Sequence, residues 1–164
     1  MRTSPLSPCT AIIQFKAGMA SALLMLSALC NAAAPEWIVV IRNPLTQATS
    51  SYDISRARQA GAMLDLWTKA EGTGHKPAIV ETYRRDGFSP AQVQIYEERF
   101  AWRLTKWRVD CAKWSMKLLA TADYDAGGEA YLSNQVAGEE GVIFPGSVVD
   151  IAADRMCKGL RVRK

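Results

Sequence analysis

Phe100-Ala-Trp-Arg-Leu-Thr-Lys-Trp-Arg-Val-Asp-Cys111 and, after Ala112-Lys113, Trp114-Ser-Met-Lys-Leu-Leu-Ala-Thr-Ala-Asp-Tyr124 decide the fold class of this chain. In the first run Ala101, Arg103, Thr105, Trp107, Val109 and Cys111 fall on one side, and Phe100, Trp102, Leu104, Lys106, Arg108 and Asp110 on the other. That period of two is the signature of a strand. In the second run Trp114, Met116, Leu118 and Ala120 share a face. The two residues between the runs leave room only for a tight turn or bulge, so the strands pair antiparallel.

Working outward, Ala62 to Thr68 alternates as well, with Leu64, Leu66 and Thr68 opposite Met63, Asp65 and Trp67, and Gly72-Thr-Gly74 ends it. Tyr52-Asp-Ile-Ser55 reads as a short strand, and Trp37-Ile-Val-Val-Ile-Arg42 as a β-prone run stopped by Asn43-Pro44. On the other side Asp125-Ala-Gly-Gly128 marks a turn before Tyr131-Leu132. Then the period changes. Pro145-Gly146 breaks the chain, Ser147 stands at an N-cap, and Asp150 three residues on makes a short variant of the capping box. Val149, Ala152, Ala153, Met156 and Cys157 recur at helical spacing, with Gly159 placed to stop the helix. Residues 75–98 are the least legible: Ser89-Pro90 and Gln92 fit a helix start, but Val93 and Ile95 alternate with Gln92, Gln94 and Tyr96, which favours extended structure after about Gln92. The expectation is an α+β fold: an antiparallel β-sheet with a C-terminal α-helix.

The chain has 164 residues, 49% apolar and 22% charged, which is the composition of a globular domain. Of its 20 Lys/Arg, only Arg2 and Lys16 lie in the first 32 residues, which hold no acid; the remainder carries 18 bases against 16 acids. A dedicated nucleic-acid binder shows a stronger and more concentrated basic excess, so no nucleic-acid partner is expected. Those first residues have the parts of an export signal: a basic region ending at Lys16, an apolar stretch Ala17–Cys30 and small residues Asn31-Ala-Ala-Ala34. The stretch falls short of the roughly 20 residues of a membrane span. Cleavage is expected after Ala32 or Ala33, giving a signal peptide over 1–33, a mature domain over 34–164 and no transmembrane anchor. Lipidation at Cys30 would want Gly or Ala before it; Leu29 stands there instead, so soluble export is expected. The mature chain keeps two cysteines, Cys111 and Cys157. An even pair in an exported protein is most simply one disulfide, here tethering the helix to the strand that ends at Cys111. Two cysteines are too few for a structural zinc site.

Taken together, these elements resemble the bacterial surface-adhesin protein E-like family. The likeness rests on the Trp37 strand after the signal, Tyr52-Asp53-x-Ser55, Leu66-Trp67, Val109-Asp110-Cys111 followed by a strand and Tyr124, and Phe144-Pro145-Gly146-Ser147 with Cys157 ten residues after it. It covers roughly residues 36–160; Gly72 to Glu98 looks like an insertion. The resemblance implies a non-enzymatic adhesin of a Gram-negative bacterium, in the periplasm or at the outer-membrane surface, contacting host extracellular-matrix proteins or plasminogen. The other readings of such a small, exported, β-rich domain are a periplasmic inhibitor of a cell-wall hydrolase, with residues 72–98 as the inhibitory loop, and an exported structural protein.

No motif in the chain points to catalysis or to a cofactor. The single histidine, His75, sits among Gly, Thr, Lys and Pro without a G-x-S-x-G or H-E-x-x-H, and reads as a solvated loop residue. Asp123-Tyr-Asp125-Ala-Gly-Gly-Glu129 lacks the ligand spacing of an EF-hand and reads as a hairpin turn. The binding candidates are Trp102, Arg103, Lys106 and Trp107, where bases interleave with tryptophans, and Lys164, because a C-terminal lysine is the group that plasminogen's lysine-binding modules recognise. In a strand, however, Arg103 shares a face with Trp107 while Lys106 shares one with Trp102, and long basic stems covering tryptophans explain the pattern without a ligand. Exposed edge strands would also allow a homodimer.

Overall fold

The structure is a computed structural model that describes residues 34–135 and 138–158. The expected signal peptide, Gly159 and Lys164 lie outside the described residues. Seven strands form one antiparallel sheet: β1 (Trp37–Asn43), β2 (Ala48–Ala60), β3 (Met63–Glu71), β4 (Trp102–Asp110), β5 (Ser115–Tyr124), β6 (Ala130–Gln135) and β7 (Glu140–Val142). The first six are a meander in chain order, while β6 and β7 share the far edge of β5 end to end. Two helices, α1 (Lys76–Arg85) and α2 (Pro90–Arg99), are inserted between β3 and β4, and α3 (Val148–Met156) closes the fold. The expected α+β class holds, with the C-terminal helix bonded to the sheet through Cys111–Cys157, whose Cα atoms are 5.5 Å apart.

The register carries the alternation across the sheet. Leu66 pairs with Trp107 and Trp107 with Leu118, whereas Trp67 pairs with Lys106 and Lys106 with Ala120. The first set faces inward and the second outward. Inside, Tyr52, Leu64, Leu66, Val109 and Cys111 pack with Val149, Ala152, Ala153 and Cys157 of α3. A second cluster, Ile79, Val80, Tyr83, Val93 and Phe100, forms where α1 and α2 meet. Ser147 caps α3 by accepting from the Asp150 N–H at 3.1 Å, but the reciprocal half of the box is not made. The Asp150 carboxylate turns instead to the Gly146 N–H and the Trp114 indole N–H.

Two expectations are corrected. The segment after Gln92 is helical: Ser89 and Gln92 make a full capping box, each side chain accepting from the other's backbone N–H, with Pro90 in the first turn. Val93, Tyr96 and Phe100 then recur at helical spacing and join one cluster, while Ile95 is 52% exposed and only imitated alternation. Nor is Tyr52–Ser55 a short strand; β2 runs for 13 residues through a bulge in which Ile54–Ala57 stand opposite Leu66 alone. Asp53 holds that bulge. Its Oδ1 accepts from the Ser55 N–H at 2.9 Å, the Ser55 hydroxyl at 2.7 Å and the Glu36 N–H at 3.1 Å, and its Oδ2 pairs with Arg56.

Candidate functional site

The outer face of the sheet has no helix packed on it among the described residues, because α3 lies against the inner side of β1–β3. Neighbouring strands stack its side chains in rows. One row reads Trp37, Asp53, Trp67, Lys106; the next toward Asp110 reads Arg58, Asp65, Arg108, Lys117. The Arg56 guanidinium lies 5.5 Å from the Trp37 ring centre and 5.8 Å from that of Trp67, whose ring also has the Lys106 ammonium at 5.9 Å. At the other end Lys69 sits 4.8 Å from the Trp102 ring, and Trp102 stacks on Tyr124 at 3.7 Å with an interplanar angle of 8°. Each contact is cation–π or stacking in geometry. The result is a half-exposed array of aromatic rings separated by cations, some of them charge-paired: Arg108 holds Asp65 through two bonds, at 2.7 and 2.9 Å. Those bonds hold the Asp65 carboxyl below its ordinary value against the opposing effect of burial.

The inner face carries a different chemistry at the end away from α3. Arg103 on β4 and Asp123 on β5 are direct cross-strand partners, bonded in parallel at 2.6 and 2.7 Å. Asp123 also accepts from the Tyr83 hydroxyl of α1 at 2.8 Å, and Tyr131 links that hydroxyl at 3.3 Å to the Tyr96 carbonyl of α2 at 3.2 Å. This chain of bonds ties both inserted helices to the sheet. Burial first, then the hydrogen bond with Tyr131 and the negative charge of Asp123, push the Tyr83 phenol well above its usual value, so it stays a neutral donor. Burial works against the Arg103 charge, but the bonds to Asp123 prevail and raise its pKa. Beside the network lies a cleft of about 240 Å³ between the C-terminal end of α1 and the inner face of β4–β6.

The four described binding candidates therefore divide between faces. Trp102 and Lys106 belong to the outer array. Arg103 is committed to Asp123, and Trp107 lies half-buried against the α3 cluster, its indole N–H donating to Thr68 at 2.9 Å. His75 is not a solvated loop residue: a 3-10 turn over Thr73–His75 lays it on β2, where Nε2 donates to the Thr49 carbonyl at 3.1 Å. The Asp125–Glu129 segment is the hairpin turn between β5 and β6, with Asp125 Oδ1 accepting from the N–H groups of Gly127 and Glu129. No cluster with metal-ligand composition occurs among the described residues. No helix among them is long and apolar enough to cross a membrane.

Compared with known proteins, the chain matches no family model, no curated protein and no solved structure. Sequence reasoning missed Trp37, Arg56, Trp67 and Tyr124 as members of the outer array, because they gather only when five strands, β1 to β5, are in register. It also missed the Tyr83–Asp123–Tyr131 network, for which the one available signal was a hydrophobic face, Ile79, Val80 and Tyr83, at helical spacing.

Proposed function

We propose that the chain is an exported, non-enzymatic binding domain of the surface-adhesin E type, released from a signal peptide over residues 1–33 and acting on host extracellular-matrix proteins or plasminogen. The observation that carries this reading is the outer sheet face, where half-exposed tryptophans and cations lie with no helix over them among the described residues. Aromatic and arginine side chains are the groups that dominate protein interfaces, and Trp is first among them. The inhibitor reading has less support, since residues 76–85 and 90–99 are helices packed on each other through Tyr83, Phe88 and Tyr96.

The test is surface-immobilised binding of the oxidised mature protein to plasminogen and to a panel of matrix proteins, with a lysozyme-inhibition assay alongside. Saturable binding weakened about 10- to 30-fold by Trp102→Ala is the expected result, the size of a central interface residue. Deleting residues 161–164 separates the two partners: loss of plasminogen binding alone assigns that partner to the C-terminal lysine. Lysozyme inhibition without binding to any panel member overturns the proposal in favour of the inhibitor.

A further inference from the structure

The cleft beside Arg103 has the attributes of a small-ligand site, and it lies on the opposite side of the sheet from the outer array. Its floor comes from inward positions of three strands, Arg103 on β4, Leu118 and Thr121 on β5, and Leu132 on β6; its rim is the end of α1, with Arg85. α3 covers β1–β3 and the α1–α2 pair covers the turn end, so this part of the inner face is left open between them. The cleft is smaller than a drug-sized pocket and suits a ligand of a few heavy atoms beyond a charged group.

Arg103 is the reason to expect an anion there. Its side chain is only 12% exposed and that of Asp123 1%, and burying such a pair costs more than burying an apolar pair of the same size. The guanidinium presents Nε and Nη2 to Asp123, while Nη1 bonds to no described residue. Arg103 lines the cleft, and the cleft is its opening. Tyr83 and Asp123 lock the guanidinium in place before any ligand arrives, which spares the ordering cost of recruiting a free arginine. At the rim Arg85, its side chain 74% exposed, stands 4.0 Å from the Asp86 carboxylate, which partly offsets its charge, and Leu118 and Leu132 supply an apolar wall.

We propose that this cleft binds a small carboxylate bearing a short apolar group, its carboxylate accepting from Arg103 Nη1 and its apolar part lying on Leu118 and Leu132. The proposal stands apart from the adhesin reading, since no outer-face residue takes part. The test is titration of the full exported protein, followed by amide NMR, with N-acetyl-leucine, with its uncharged amide, and with a pentapeptide ending in leucine. N-acetyl-leucine is expected to saturate with shifts confined to β4–β6 and the end of α1, and the amide to bind at least about 10-fold more weakly. Leu118→Trp, which fills the cleft, is expected to abolish binding. Arg85→Gln, on an exposed side chain that the fold does not need, is expected to weaken it about 3-fold. Binding of the pentapeptide as well assigns the site to chain termini; binding of the free acid alone assigns it to small metabolite acids. Equal binding of acid and amide, or no saturable shift at these residues in a protein whose spectrum is otherwise folded, overturns the proposal.

Discussion

Asp53 shows how much a single side chain decides here. Fully buried on the outer side of β2, it satisfies its oxygens with Ser55, Glu36 and Arg56, and so turns a four-residue bulge into a fixed shape that delivers Arg56 between Trp37 and Trp67. Burial opposes its ionisation, but the bonds from Ser55, Arg56 and the Glu36 backbone outweigh it, so its pKa lies below the ordinary carboxylate value. Breaking a buried ion pair costs about 3–5 kcal/mol, and Arg56 is 34% exposed, so Asp53→Asn is expected to lower stability by about 2–3 kcal/mol in urea unfolding at pH 7. The sign of the pH effect follows from the depressed pKa. The contribution of Asp53 is complete above the unfolded value of about 3.9 and is lost as pH falls through the lower folded value. The gap between wild type and Asp53→Asn should therefore be constant from pH 5 to 7 and narrow below about pH 4. A gap that stays constant down to pH 2 would show that packing, and not the charge, holds the bulge.

Among the elements, the junction of β3 with α1 is where the backbone has least freedom. Gly72 has φ +97°, and a Cβ there would stand 1.7 Å from the Gln47 carbonyl oxygen, a backbone atom in the β1–β2 turn. Gly72→Ala thus meets both a left-handed conformation and a clash, and a loss of more than about 3 kcal/mol in chemical denaturation is expected, against about 1 kcal/mol for Ser89→Ala at the α2 cap. Comparable losses would mean that the two turns can part without unfolding. The elements also differ in how far they could be read in advance. β3, β4 and β5 were legible because each has one buried and one outward face, so alternation survives in the residues themselves. β2 shows only four of its 13 residues as a strand in the sequence, since its bulge breaks the period and its second half is polar. α2 misled because it buries only Val93 in its span, and the exposed Ile95 supplied a false partner for alternation. The pairing of Arg103 with Asp123 depends on the exact strand register, which includes a bulge between Lys106 and Trp107, and no local pattern encodes that.

At the scale of the whole molecule, two clusters share one sheet but are fastened differently. The α1–α2 cluster is held by hydrogen bonds from Tyr83 and Tyr131 to Asp123 and the Tyr96 backbone. The α3 cluster depends on apolar packing, the disulfide and two side-chain bonds, from Arg155 to the Tyr52 hydroxyl and from the Trp114 indole to Asp150, each at 3.2 Å, and α3 at nine residues is too short to persist as an isolated helix. The bond joins positions 46 residues apart, a loop that contains β5, β6 and β7. By loop-closure entropy it stabilises the folded state by about 4 kcal/mol, much of what a domain of this size has in total. Cys111→Ala with Cys157→Ala is expected to lower the unfolding free energy by about that amount, seen as a lower urea midpoint. The local consequence discriminates more sharply. In native-state hydrogen exchange the α3 amides should lose protection first, because opening α3 exposes the Leu64–Leu66–Val109 surface without touching the Tyr83–Asp123–Arg103 network. Amides of α1 and α2 should keep exchanging only with global unfolding. If protection instead falls equally in all three helices, the two clusters are one cooperative unit, and the strands between them transmit the loss. That outcome would also tie the cleft to the staple, since Arg103 stands on β4, the strand that runs into Cys111, and Leu118 and Leu132 stand on β5 and β6 inside the loop that the disulfide closes.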